Sequence, residues 1–308
     1  MNKYLSETAI KELEEKAFQI RKLALEMIVN ANWGHIGGSF SEAEILSCLF
    51  FHFMNVDPKN PKSENRDIFI LSKAHASPAL YAALALKGFF PLSKLYSYCK
   101  LGGLDGHTNM RETPGIEFSG GSLGLGLSYA VGTALGLKMQ EHFHRRVFCL
   151  LGDGELNEGN IWEAAMAASH FKLDNLITIV DYNKVSAKGF INDLMAIEPL
   201  TEKWKAFGWN VIEIDGHDVK EICLALYKAK YESVNSRPNC IIAHTVKGKG
   251  IMECEFNYKW HTHAPSSEKA EAFLKELCLR YGKPYKGFSR LPTSVQEEDF
   301  EAIVEGIS

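Results

Sequence analysis

The chain predicts an α/β fold in which a mostly parallel sheet is covered by helices on both faces, giving three α/β/α layers. Three observations carry this expectation. Short apolar runs recur, most clearly at 147–151 (VFCLL) and 176–180 (LITIV), and runs of that length read as buried strands. A helical stretch at 158–170 joins those two, and a strand–helix–strand unit of this length sets two strands parallel in one sheet. The 308 residues are 46% hydrophobic and 23% charged, enough for one large domain with a sizeable core.

In chain order, 6–30 reads as an amphipathic helix, with Ile10, Leu13, Ala17, Ile20, Ala24 and Met27 at helical spacing. Gly34 stops it. Ser41 and Glu44 form a capping-box pattern ahead of an apolar helix to about 54. Pro58, Pro61 and the charges to Arg66 mark a surface loop, and 67–71 is strand-like. Pro78 suits the first turn of a helix running to about 87. The stretch 122–140 reads as a helix carrying Gly124, Gly126, Gly132 and Gly136. Glycines cost helix stability, so they point to close packing or close ligand approach. Further strands are expected near 211 and at 240–246. Residues 1–286 form one domain in this reading. The tail 287–308 is polar and acidic, and a short helix is expected near 297–304. The apolar 45–54 helix and the Gly-rich helix suggest large buried interfaces.

Composition excludes several classes. A net charge of -4 gives no reason to expect nucleic acid or an anionic membrane as partner. No apolar run approaches the ~20 residues that span a bilayer. Residues 1–30 interleave charges, unlike a signal or transit peptide. Seven cysteines without a CxxC pair fit reduced thiols in a cytoplasmic protein.

The densest chemical signal is Gly152-Asp153-Gly154, followed by Glu158-Gly159 and then Asn183. Gly152 and Gly154 allow a tight turn and close ligand approach at the end of the 147–151 strand. Asn183 ends the next strand. Parallel neighbours share a carboxyl edge, where open α/β sheets bind ligands, so Asp153 and Asn183 are expected close in space. One carboxylate, one amide oxygen and a backbone carbonyl, that of Val185, suit a magnesium ion that also needs diphosphate oxygens. A lone GDG is more often only a strand-to-helix turn, but with the EG and Asn at these positions the metal–diphosphate reading is preferred. Of eleven histidines, His52, His142, His144 and His170 sit without motifs and read as surface or satisfied core residues. His35, His75, His107 and His261 lie in Gly- or Ala-containing loops, where a neutral imidazole can donate to phosphate oxygens and move protons near neutral pH. His217 in IDGHD reads as a strand-end turn, and Lys247 and Lys249 as a solvated loop near the diphosphate.

The GDG constellation resembles the thiamine diphosphate motif. The segments GHIGGSFSEAEIL (34–46), LSKAHASPALYAAL (71–84), GHTN (106–109), SGGSLGLGLSYAVGTALG (119–136), LGDGELNEGNIWEAA (151–165), IDGHD (214–218) and WHTHAP (260–265) occur in transketolase order. The resemblance covers about 10–285 and is to the amino-terminal, pyrophosphate-binding subunit of a split transketolase. It implies the three-layer thiamine diphosphate-binding fold, with thiamine diphosphate and Mg2+ (or Ca2+ or Mn2+) as cofactors. Asp153, Asn183 and the Val185 carbonyl would hold the metal. His75, Gly154, Glu158, Asn183 and His261 would seat the diphosphate, and Gly121-Ser122-Leu123 would touch the cofactor rings. His35, His107 and His261 would serve catalysis, with His261 preferred to His263 because it directly follows Trp260. The implied reaction passes a two-carbon ketol unit from a ketose to an aldose phosphate, as in the pentose phosphate pathway. It implies activity only with a carboxy-terminal partner subunit, in an α2β2 assembly, because the activating glutamate belongs to a domain this chain does not contain.

Ile36, Thr108, Asn109, Gly120 and Leu125 depart from the usual residues near the substrate, so the sugar stays open, with a sulfo- or deoxy-ketose among the expectations. Three alternatives are weighed. They are the α subunit of a thiamine-dependent 2-oxo acid dehydrogenase, a deoxyxylulose phosphate synthase, and a noncatalytic cofactor-binding or regulatory subunit. The histidine loops, the length, and the retained Asp153 and Asn183 argue against them in turn.

Overall fold

The computed structural model describes residues 5–232 and 235–288. Helix α1 (Glu7–Ala31) is capped by Ser6, whose Oγ accepts from the Ala9 N–H, and ends on left-handed Asn32. Two short helices follow, α2 (Ile36–Ser41) and α3 (Ala43–Cys48), the latter running into a π-turn at Leu49–Phe53. Next come β1 (Ile68–Leu71) and α4 (Ser77–Lys87), with Pro78 in its first turn. Then follow α5 (Leu125–Met139), β2 (Val147–Gly152), α6 (Gly159–His170) and β3 (Leu176–Tyr182). The chain continues through α7 (Ile191–Leu194), α8 (Leu200–Ala206), β4 (Asn210–Asp215), α9 (Val219–Tyr231), β5 (Asn239–His244) and α10 (Ser267–Arg280). The helix expected near 297–304 lies outside the described residues.

Among the described residues the five strands are parallel throughout, in the order β1-β2-β3-β5-β4. Alternation along each strand divides the apolar interior in two. Phe69, Leu71, Phe148, Leu150, Ile177, Ile179 and Ile241 face a core shared with α1, α3, α4, α9 and α10. Ile68, Ile70, Cys149, Leu151, Val180, Cys240 and Ile242 face a second, built with α5, α6 and α8. Both sheet faces are therefore covered, as the apolar runs of β1, β2, β3 and β5 require.

Two local expectations are overturned by tertiary partners. Ser41 caps nothing. It is the last residue of α2, and its Oγ donates to Asp181 Oδ2 at 2.6 Å. Glu44 turns instead to Arg21, which donates to both carboxylate oxygens at 2.5 Å from full burial. The apolar 45–54 segment is no free interface, because Ile45, Leu46, Cys48, Leu49 and Phe50 are buried in this chain's own core. The Gly-rich helix starts at Leu125, not 122, after left-handed Gly124. Gly126 carries the close approach, where a Cβ would stand 2.4 Å from Ser72 Oγ. A Cβ on Gly132 or Gly136 would meet nothing within 4 Å among the described residues.

The buried ion pair yields a stability prediction. Arg21→Met leaves the Glu44 carboxylate with His217 alone, and losing one partner of such a pair costs about 3–5 kcal/mol. Burial alone would raise the Glu44 carboxyl, but Arg21 and His217 hold it down at about 2. Its stabilisation is thus present above the unfolded value of 4.5 and is lost as pH falls toward about 2. Urea unfolding between pH 3 and 7 should show a lower midpoint for the variant and a flatter acid limb.

Candidate active site

The site grows from the carboxyl ends of β2 and β3. Gly152 pairs with Asp181, so Asp153 and Asn183 leave adjacent strand ends. Asp153 Oδ2 accepts from the Lys184 N–H at 2.5 Å, and its Oδ1 accepts from the Gly154 N–H at 2.7 Å. The Asn183 amide is oriented by a neighbour: its Nδ2 donates to Asp181 Oδ2 at 3.0 Å, which leaves Oδ1 on the Val185 side. Asp181 is itself clamped. Lys73 Nζ lies 2.5 Å away, and Ser41 and Thr245 also donate to it. Lys73 bridges to Glu42 at 2.8 Å, giving a buried Glu–Lys–Asp row under the strand ends.

A cavity of about 120 Å3 opens over these residues, lined among others by Lys73, His75, Leu123, Asp153, Gly154, Asn183, Val185, Lys247 and His261. Asp153 is 2% exposed. Burial first, then the Asp181 charge, pushes its carboxyl up to about 7, with the two backbone donors and Lys247 pulling the other way. Both penalties are of the kind a bound cation offsets. Among the described residues no group of three or more His, Cys, Asp or Glu side chains is placed to hold a metal. A divalent ion here would use one carboxylate, the Asn183 amide oxygen and the Val185 carbonyl, a sparse oxygen set that suits magnesium shared with a diphosphate. The donor set and the cavity fit the implied group, with the Val185 carbonyl giving one lone pair to the ion and the other to Lys247 Nζ, from which it accepts at 2.6 Å.

Lys247 corrects the solvated-loop reading. It is 3% exposed, and its Nζ donates to the Val185 carbonyl at 2.6 Å and the Ser186 carbonyl at 3.2 Å. Its third partner is His261 Nδ1 at 2.9 Å. Burial lowers the ammonium to about 8, against the pull of Asp153. An ammonium donating to Nδ1 leaves the His261 proton on Nε2.

The four loop histidines come from four segments and meet. The His35 ring centroid lies 5.1 Å from that of His75, 5.4 Å from His261 and 6.1 Å from His107, and His75 lies 5.1 Å from His261. Burial, then charge from His107 and Lys247, lowers His35 to about 4, and burial, then Lys247 and His35, lowers His261 to about 3. Burial likewise lowers His75 and His107. The cluster is neutral at pH 7 and offers hydrogen bonds rather than charge. His35 Nδ1 is buried without a hydrogen-bond partner among the described residues. His263 stands apart, its ring 5.0 Å from Trp260.

Not every expected cofactor residue joins the cavity. Leu123 and Gly154 line it, whereas Gly121 and Ser122 are exposed beside it. Glu158 does not line it. It is exposed at the start of α6, with its stem against Gly124. The carboxylate that organises the turn is Glu155, which sequence reasoning missed. Its oxygens accept from Ser72 Oγ (2.5 Å), Gly124 N (2.8 Å) and Gly152 N (3.0 Å). The signal was a carboxylate three residues past Gly152, able to return to that N–H. Lys73, inside the quoted 71–84 segment, and Asp181, directly after the 176–180 run, were also missed.

The fold and the strand-end cavity define a cofactor-binding α/β domain. The chain matches the family described as "Transketolase, thiamine diphosphate binding domain" over residues 13–306. It is 45% identical over 267 residues to the 6-deoxy-6-sulfo-D-fructose transketolase subunit of Clostridium sp. (strain MSTE9), covering 86% of this chain and 96% of that subunit. It is 38% identical over 275 residues to an apulose-4-phosphate transketolase subunit of Phocaeicola vulgatus, covering 89% and 96%. The transketolase structure from Campylobacter jejuni superposes with a TM-score of 0.82 at 35% identity, over 96% of this chain but 46% of that one. The chain thus spans about half the length of that solved transketolase. It belongs to the transketolase family, and the relatives above that it covers almost end to end are named as transketolase subunits.

Proposed function

We propose that this chain supplies the diphosphate- and metal-binding half of a transketolase active site, and that the assembled enzyme passes a two-carbon ketol unit from a ketose to an aldose. Bound thiamine diphosphate would supply the electron sink for breaking and remaking the carbon–carbon bond. Asp153, Asn183 and the Val185 carbonyl would hold Mg2+. His75 and Lys247 would face the diphosphate, with Gly154 letting it approach the backbone. His35 and His107 would offer neutral donors to substrate oxygens, and His261, its proton on Nε2, would hold or pass that proton beside them. The observation carrying this reading is the convergence of the four histidines over the Asp153–Asn183 edge.

The substrate we propose is a ketose with an anionic far end, phosphate or sulfonate, because the relatives above are named for 6-deoxy-6-sulfo-D-fructose and apulose-4-phosphate. Cytoplasmic placement is part of the proposal, supported by seven free thiols. No helix among the described residues is long and apolar enough to cross a membrane. The test is ketol transfer by the chain with its carboxy-terminal partner, using 6-deoxy-6-sulfofructose, apulose-4-phosphate and xylulose-5-phosphate as donors and pyruvate as control. Turnover of an anionic ketose without pyruvate decarboxylation is expected. Pyruvate turnover alone would move the protein to the 2-oxo acid dehydrogenase class. Lys247→Met should weaken thiamine diphosphate binding about 10–100-fold, the value of a charge-assisted bond in a buried site. Titration calorimetry with Mg2+ reads it.

A further inference from the structure

The IDGHD turn has no part in the site so far, yet it lies directly behind it. His217 Nε2 accepts from the Val246 N–H at 2.9 Å, and its Nδ1 lies 3.0 Å from Glu44 Oε2. An Nε2 that accepts carries no proton, so Nδ1 is the protonated nitrogen and donates to Glu44. Glu44 is held in turn by Arg21, whose Nε and Nη2 also donate to the Phe40 carbonyl at 3.1 and 2.8 Å. One buried guanidinium thus grips the end of α2, the segment that begins at His35, and reaches the loop bearing Lys247 through Glu44 and His217.

The packing is close along this route. A Cβ on Gly216 would stand 2.4 Å from Thr245 Cγ2, so the turn can lie flush against the loop only with glycine there. A Cβ on Gly37 would stand 2.8 Å from Lys247 Cε, and the Gly248 N–H donates to the Gly37 carbonyl at 3.0 Å. The two loops therefore rest on each other as well as on the relay.

We propose that His217 is a positioning residue for the cofactor site: held in one tautomer by Glu44, it fixes the Val246 N–H and so sets where Lys247 meets His261 and the Val185 carbonyl. The inference rests on the cofactor reading above for its consequence, though not for its geometry. A ligand-orienting partner of this kind is worth about 10–100-fold in affinity.

Three variants separate its two hydrogen bonds. His217→Gln places an amide oxygen where Nε2 stood and keeps the bond to Val246. His217→Asn keeps the Glu44 side only, and His217→Phe keeps ring volume and neither bond. Each is titrated with thiamine diphosphate and Mg2+ in the intact chain assembled with its partner. Hydrogen exchange of the 245–250 amides is measured on the same samples. The expected result is near-wild-type affinity and protection for Gln, with about 10–100-fold weaker binding and lost Val246 protection for Asn and Phe. Across the set, affinity should track Val246 protection. A side chain that merely fills space would rank Phe best. That ranking, or affinity moving independently of protection, overturns the proposal. 15N NMR of the intact chain should show Nδ1 protonated and Nε2 bare, and the opposite tautomer also overturns it. Wild-type protein that binds no thiamine diphosphate would remove the cofactor reading, while the NMR and exchange results would still decide the brace.

Discussion

Replacing Asp153 by alanine is expected to abolish magnesium-dependent binding of thiamine diphosphate, weakening it by at least about 100-fold, or roughly 3 kcal/mol. The size follows from the donor set. Asp153 is the one carboxylate in the proposed metal donor set, whose other oxygens, from Asn183 and the Val185 carbonyl, are neutral. Without it the metal has no fixed anion on the protein side, and the diphosphate loses the ion that would join it to the sheet. The substitution also releases the Lys184 and Gly154 N–H groups that Asp153 now holds. Asp153→Asn is therefore the control: it keeps volume and an acceptor oxygen but no charge. Both variants should melt within a few degrees of the parent and lose the magnesium-dependent heat in titration calorimetry. Folded Asp153→Ala protein with unchanged affinity would refute the metal assignment.

An effect at least as large is expected from the partner chain. The purified chain alone should show negligible ketol transfer, and adding the carboxy-terminal subunit should restore it. Small-molecule sites usually enclose about 300–1,000 Å3, whereas the cavity here is about 120 Å3. Gly121 and Ser122, expected to meet the cofactor rings, stand exposed at its side. On the cofactor reading proposed above, such a surface would be one wall of a site. The missing wall would include the activating glutamate, and losing a proton-transfer group costs about 10²–10⁴-fold. Stopped assays with either chain by itself and with both, across a titration of one into the other, would measure the gain. Robust turnover by this chain alone, in a preparation free of other transketolases, would sink the two-chain reading.

Much of the fold was legible because β1, β2, β3 and β5 are buried on both faces and carry apolar runs, β4 at the sheet edge being the exception. The runs 147–151 and 176–180 became β2 and β3 with one or two residues added at the carboxyl end. Those added residues matter: Gly152 and Asp181 are the last register pair, and they set Asp153 beside Asn183. The errors share a cause. Ser41 and Glu44 match a capping box in sequence, but a buried aspartate and a buried arginine compete for them, and inside the protein such partners outweigh a local cap. Lys247 looks solvated in a KGKG loop, yet three acceptors and the floor provided by Gly37 draw it inside. Glu158 matches the motif, but the short turn at Gly154–Asn157 places Glu155 inward in its stead.

By itself the sequence determined what is encoded locally: strand and helix periods, the glycine turns, and residue types suited to metal, diphosphate and proton transfer. Only the tertiary structure decided which histidines meet, that they are neutral, which nitrogen of His261 and His217 carries the proton, and that Lys247 faces the cavity. Those properties depend on burial and on charges brought together from segments up to some two hundred residues apart, and no local pattern carries that information.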